Sequence, residues 1–191
     1  MRTATITRNT RETDITATLC LDGSGQTDIR TGIGFFDHML TALAVHASFD
    51  LTLRAEGDLA VDAHHTVEDT GIVLGDALKK ALGSTPVERY GSFYIPMDEA
   101  LGFAALDISG RPFLHWDCEL ASPMIGSFDT QTAEEFFRAF AMHAGITLHL
   151  QVPYGKNDHH KLEALFKALG HALQAAVRPR DGAVLSTKGV L

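Results

Sequence analysis

The sequence predicts an α+β fold in which one strand-and-helix pattern is written twice and sheet packs against helices. Three observations predict it. His64-His65-Thr66-Val67-Glu68 recurs as His159-His160-Lys161-Leu162-Glu163, and the same displacement of 95 residues carries Gly75, Ala77 and Leu78 onto Gly170, Ala172 and Leu173. Upstream, HASFDLTL from His46 resembles HAGITLHL from His143 with a displacement of 97, the two-residue difference falling in the intervening loop. Apolar spacing also switches repeatedly between the period of a strand and that of a helix, and no Ser/Gly-rich or charged tract marks a linker. The expectation is a single compact unit over 1–191, made of repeats at about 1–88 and 89–191.

The elements follow in order. In Asp14 to Leu21, Ile15, Ala17, Leu19 and Leu21 share one side, as in a half-buried strand, and Asp22-Gly23-Ser24-Gly25 reads as a turn. Phe35 to Ala47 carries Phe36, Met39, Leu40 and Leu43 at helical spacing, and Phe49, Leu51 and Leu53 then alternate as a strand. A helix runs from His64 to Leu82 and stops at Gly83. After a Pro-containing connection, strands recur near Leu101 to Ser109 and Phe113 to Leu120. A helix covers roughly Ala133 to His143, a strand Ile146 to Val152, and a last helix Asp158 to Val177, ended by Pro179.

Composition narrows the function. Hydrophobic residues make up 45% of 191 and charged residues 21%, enough apolar material for a core. Lys and Arg total 16 against 24 Asp and Glu, a net charge of −8 that opposes binding to nucleic acid or an acidic membrane. Cys20 and Cys118 make no disulfide framework, and neither a signal-like segment nor a run of ~18 apolar residues is present, so a cytoplasmic protein is expected. Ten histidines are many for this length, and most fall in tight groups.

Those groups have ligand spacing. On a helix, His64 and Glu68 are four apart and share a face, while His65 lies about 100° round the axis. Two such segments offer four imidazoles and two carboxylates, which two adjacent ions can share crosswise. His38, in GFFDHML, and its counterpart Glu135, in AEEFF, extend the sets. One site would take His64, Glu68, His160 and Glu135, and the other His159, Glu163, His65 and His38. Mixed imidazole and carboxylate without thiolate favours an octahedral divalent ion, Mn²⁺ before Fe²⁺ or Zn²⁺. Surface histidines with helix-supporting charges explain single residues but not two ligand-spaced sets. If the halves face apart within one chain, the crosswise sites form between subunits.

GIGFFDHML, DAHHTVED, RYGSF…MDEAL, DISGRP, NDHHKLEALFKA and STKGVL, in this order from about Arg11 to Leu191, together resemble the imidazoleglycerol-phosphate dehydratase family of histidine biosynthesis. The resemblance implies a duplicated fold of the ribosomal protein S5 domain 2-like kind and two Mn²⁺ per active site. It also implies a homo-oligomer of 24 subunits built from trimers, with sites at subunit contacts. The implied reaction is loss of water from D-erythro-imidazole glycerol phosphate to give imidazole acetol phosphate. Some family members carry His where this chain has Glu135, which adds negative charge to that site.

The implied chemistry removes a proton from one of two adjacent side-chain carbons and hydroxide from the other. A ring bridging two cations as imidazolate would help expel the hydroxide through a diazafulvene-like intermediate. The resemblance assigns the general base to Glu12 in TRETDI. For the small-molecule phosphate it points to Arg89, Arg111, Lys167, Ser186 and Lys188; Arg offers a bidentate fork and Lys a point charge. His38 is expected to face substrate as well, and His46, about 80° from it around the helix, either reaches the substrate, supports the metal ligands, or is a core or capping residue. Asp37 is expected to orient an imidazole, and Asp98 or Glu99 a ligand or a loop. His143 is expected to be a structural helix-end residue, His149 to have a hydrogen-bonded structural role, and His115, Trp116 and His171 to be ordinary strand or helix residues. Two rivals remain: a dinuclear metallohydrolase of a small phosphate ester, and a non-catalytic metal-binding shell protein. A store needs neither a base at Glu12 nor a phosphate-binding cation set.

Overall fold

The computed structural model describes residues 1–182 and 185. The first repeat comprises β1 (Thr3–Asn9), β2 (Thr13–Cys20), β3 (Thr27–Arg30), α1 (Gly34–Ala47), β4 (Asp50–Gly57) and α2 (His64–Leu82). The second comprises β5 (Tyr90–Met97), β6 (Ala100–Asp107), β7 (Phe113–Asp117), α3 (Gln131–Ala144), β10 (Thr147–Tyr154) and α4 (Asp158–Ala176), with a small hairpin, β8 (Met124–Ile125) and β9 (Phe128–Asp129), inserted before α3. Each repeat forms a four-stranded sheet of the same topology, β1-β2-β4-β3 and β5-β6-β10-β7, in which only the β3–β4 and β7–β10 pairings are parallel.

Besides the β8–β9 hairpin, three strands of the two four-stranded sheets depart from the sequence expectation. β1 is an edge strand rich in threonine; it presents Ala4 and Ile6 inward and is held by its ladder to β2, not by an apolar run of its own. β5 occupies the segment read as a Pro-containing connection. Pro96 is tolerated because β5 lies at the sheet edge, where a missing N–H breaks no ladder on the free side. β3 is only four residues long and exists through its pairing with β4.

The repeats interlock through their helices. α2 lies under β1 and β2, and α4 under β5 and β6. The other two cross over: α1 packs along α4 of the second repeat, and α3 along α2 of the first. The repeated glycines make this approach possible. A Cβ at Gly75 would lie 2.7 Å from Phe140 O, and one at Gly170 would lie 2.6 Å from Leu43 O. One continuous core results, centred on Phe36, Phe136 and Phe166, with the Phe136 ring 5.2 Å from Phe36 and 5.4 Å from Phe166. No helix among the described residues is long and apolar enough to cross a membrane.

Candidate active site

The crossed helix pairs decide which ligand-type residues meet. Asn157 caps α4, its side chain accepting from His159 N at 2.9 Å and His160 N at 3.4 Å, so the histidine pair sits in the first turn. His159 and Glu163 are one turn apart, 3.1 Å between Nε2 and Oε2. His38 arrives from α1 with Nε2 3.6 Å from the same oxygen. One ligand atom from each of His38, His159 and Glu163 lies within 4.8 Å of the others. Two imidazole nitrogens and a carboxylate at this spacing are a donor set that fits a divalent ion. Lys167, a further turn along α4, places Nζ 2.7 Å from Glu163 Oε1. Glu163 is buried, which raises a carboxyl pKa, but the hydrogen bond and charge of Lys167, with His38 and His159, hold it below the ordinary value.

The equivalent place in the other helix pair is looser. His64 Nε2 lies 3.4 Å from Glu68 Oε2, one turn apart at the start of α2. Glu135 on α3 instead lies 3.5 Å from Arg138. Among the described residues, His64, Glu68 and Glu135 do not close to the spacing reached by His38, His159 and Glu163.

The second histidine of each pair turns to its own repeat's sheet. His65 Nδ1 lies 3.0 Å from Asp58, just beyond β4, while its Nε2 lies 3.9 Å from Glu12 in the β1–β2 turn. His160 Nδ1 lies 2.8 Å from Glu99 and its Nε2 3.6 Å from Asp98, both in the β5–β6 turn. Equivalent hairpins thus bring carboxylates to equivalent imidazoles. With Nδ1 bonded to a carboxylate, Nε2 remains for a ligand. The hydrogen bond it donates to Asp58 holds His65 above the usual imidazole range, and the one His160 donates to Glu99 does the same there. Glu99 also accepts from Lys156 N and Asn157 N, at 2.9 and 2.7 Å, and these bonds bring its carboxyl down to about 2. Glu12 is held at its backbone, where N–H donates to Thr10 Oγ1 and C=O accepts from Asp58 N, leaving the carboxylate exposed.

Within one chain the two ion sites drawn from the sequence are divided. His38, His159 and Glu163 meet, but His65 is engaged with Asp58 and Glu12; His64 and Glu68 meet, but His160 is engaged with Glu99 and Asp98.

The phosphate candidates also divide. Lys167 lies beside the ligand cluster, its Nζ 3.8 Å from Met97 Sδ at the end of β5. Arg89 precedes the other end of β5, about 26 Å away along an extended strand. It is buried and forms a two-point bridge to Asp107 at 2.5 and 3.0 Å, while Nη1 donates to Leu185 O. Arg111 shares Asp107 at 3.8 Å and is largely exposed. Ser186 and Lys188 lie outside the described residues. His46 is half-buried between α1 and α4, its Nδ1 3.0 Å from His171 Nε2.

One expectation is corrected. Asp37 does not orient an imidazole; Oδ1 accepts from Thr31 N and Oγ1 at 2.8 and 2.6 Å and fastens the loop before α1. Asp58 and the His46–His171 pair were missed. No spacing signal could have found them, because each joins segments that meet only through packing. His143, read as structural, bonds Asp76 across the α2–α3 interface at 3.1 Å.

Residues 31–173 match the family described as imidazoleglycerol-phosphate dehydratase. The chain is 58% identical over 193 residues to the imidazoleglycerol-phosphate dehydratase of Symbiobacterium thermophilum, covering all of this chain and 93% of that one. It is 57% identical over 195 residues to that of Cereibacter sphaeroides, covering all of both. Among solved structures, the Staphylococcus aureus enzyme superposes with a TM-score of 0.85 at 38% identity, over 93% of this chain and 99% of that one. The Pyrococcus furiosus protein gives 0.87 at 37%, over 97% and 100%.

Proposed function

The chain belongs to the imidazoleglycerol-phosphate dehydratase family, hydro-lyases of histidine biosynthesis, and on that premise we propose a Mn²⁺-dependent loss of water from D-erythro-imidazole glycerol phosphate to give imidazole acetol phosphate. The observation that carries the metal-dependent reading is the convergence of His38, His159 and Glu163 from two repeats. These three, with His65 from a neighbouring subunit, would hold one ion; His64, Glu68 and Glu135, with a neighbour's His160, would hold the other. Two Mn²⁺ bound there supply Lewis acidity to the substrate's ring, stabilising the charge that develops as the carbon–oxygen bond breaks.

Glu12 takes the proton from the carbon one removed from the ring. Its carboxylate is exposed and anchored at both backbone groups, so it can meet substrate without reorganising its turn. Hydroxide leaves the carbon beside the ring and takes up a proton as water, the electron pair left by the C–H bond forms the new carbon–carbon double bond, and the resulting enol becomes the ketone. Lys167 and His46, at one end, and Arg89 and Arg111, from the far end of a second copy, bind the phosphate, with Ser186 and Lys188 as further donors. His38 meets the ring as well as the ion.

Because the ligand sets and cations are divided within one chain, the complete site is built between subunits, in a cytoplasmic shell of 24 assembled from trimers. The outer face of the second sheet supports this assembly: Tyr90, Tyr94 and Phe113 are 53, 56 and 53% exposed, a display of aromatic surface suited to a second copy.

The direct test is purified protein with Mn²⁺ and imidazole glycerol phosphate, followed by the enol absorbance of the product in alkali. Ketone formation supports the reading. Release of free phosphate would favour the metallohydrolase, and metal uptake with neither product the storage shell.

A further inference from the structure

The second histidine pair, where α1 crosses α4, is not explained by metal ligation. His159, Glu163, Lys167 and His171 follow one another at four-residue intervals, so they form a stripe along α4, each about 6 Å beyond the last. His38 and His46 face that stripe from α1. A ring held by His38, His159 and Glu163 reaches its ester oxygen through a three-carbon chain, about 5 Å long. The phosphate therefore falls about one helical turn along, beside Lys167 and next to His46.

His46 Nδ1 and His171 Nε2 lie 3.0 Å apart, and only one proton fits between them. His171 is itself held: Phe93, on β5, stacks on its ring at 4.3 Å with 24° between planes. Just beyond it, Gln174 Nε2 donates to Ser48 Oγ at 2.8 Å and ties the ends of α1 and α4 together. The groups facing His46 are His171, Lys167 and Glu163 from α4, and burial with the two basic neighbours holds it below the usual imidazole range. A neutral imidazole carries one proton. If His46 is to donate to a phosphate, that proton must be on Nε2 and Nδ1 must accept.

The other repeat shows the contrast. At the equivalent positions His143 Nδ1 lies 3.1 Å from Asp76 Oδ1. A carboxylate can only accept, so His143 carries its proton on Nδ1. Replacing that acceptor with His171, which can donate, permits the opposite tautomer.

We infer that His171 is a positioning residue for His46: its Nε2–H donates to His46 Nδ1 and keeps the His46 proton on Nε2, where it meets the substrate's phosphate. This rests on the proposed phosphate end. His171 touches no reacting atom, so its removal weakens binding and leaves the chemical step alone.

The test compares His171→Phe, which keeps the stack but removes the donor, with His171→Gln, which restores an N–H, in the Mn²⁺-loaded enzyme. Expected for His171→Phe is a KM about five- to tenfold higher, with kcat within about twofold and inhibition by inorganic phosphate weakened by the same factor. His171→Gln should return both to within about twofold of the parent. Unchanged KM and phosphate inhibition in His171→Phe, equal losses in kcat and kcat/KM, or a Gln variant no better than Phe would each overturn the inference. His46→Gln separates this from the underlying reading. If it leaves KM and phosphate inhibition unaltered, the phosphate end itself is misplaced; if it weakens both while His171→Phe does not, only the role of His171 falls. Should His171→Phe fail to assemble, His171→Met is compared with His171→Gln in its place.

Discussion

The two crossed helix pairs are related by the repeat, yet they treat equivalent positions differently. Where α1 lies on α4, His38 closes on His159 and Glu163, and His46 on a second imidazole. Where α3 lies on α2, Glu135 turns to Arg138 and His143 to a carboxylate. The sheets diverge as well. Across the outer face of the first, Thr5 pairs with Thr18 at 2.8 Å and Thr7 with Thr16 at 3.0 Å; the outer face of the second carries Tyr94 stacked on Phe103 at 4.3 Å. Duplication has preserved the backbone frame and the packing of helix on helix. The side chains on that frame have specialised, so a residue's position in the repeat does not tell its role.

The hairpins offer the sharpest way to break the comparison. Glu12→Gln should lower kcat by about a thousandfold with Mn²⁺ content unchanged, because it removes the base and no proposed ligand. Asp98→Asn, in the matching turn beside His160, should cost less than about tenfold; equal losses in steady-state assays would erase the distinction. The ligand sets come next. His38→Ala and Glu135→Ala should each weaken binding at one ion by more than about a hundredfold and leave the other ion in place, read by elemental analysis after gel filtration. A variant that retains both ions would remove its residue from the set.

The two arginines that share Asp107 should also separate. Arg111→Ala should raise KM about tenfold with unchanged melting, since its side chain is largely exposed. Arg89→Ala breaks a buried bridge and should cost about 3 kcal/mol in denaturant unfolding. On the sheets, Tyr94→Asp should dissociate the assembly in light scattering, while Thr18→Asp leaves its size unaltered.

The smallest effect is one of pH. Asp50 accepts from Ser24 N and Gln26 N, at 2.8 and 2.9 Å, and these bonds hold its carboxyl below the ordinary 3.8. Thr147, its counterpart, donates instead to Arg111 O at 2.9 Å and cannot titrate. A depressed carboxyl contributes stability that is fully present well above pH 3.8 and is lost as pH falls through the folded value. Hydrogen exchange in the loop before β3 should therefore quicken on acidification toward pH 3, while the loop before β7 is steady; Asp50→Asn should remove that dependence.

Much of this was legible in the chain itself. All four long helices lie close to where apolar periodicity puts them, because each buries one face. The ligand candidates on α2 and α4 were legible from one-turn spacing, as was Lys167 after Glu163. The edge strands were not. β1 has little apolar content, and β5 contains a proline that signals a break unless the strand is known to lie at an edge. Asp58 and His171 were equally hidden as partners of His65 and His46, and Glu99, expected to orient a ligand or a loop, had no sequence signal that paired it with His160. Glu99 and His160 are 61 residues apart, and His46 and His171 are 125 apart.

The linear order of residues determined the duplication, the helices and the supply of imidazole and carboxylate at helical spacing. Only the tertiary structure decided that α1 rests on α4 instead of its own repeat's α2, and so that His38 joins His159 and Glu163. The reason is physical: periodicity states which face of a helix must leave water, but not which surface will cover it. That choice is made by shape, where Gly170 lets the backbone of Leu43 approach and the phenylalanine rings of both repeats fill one core.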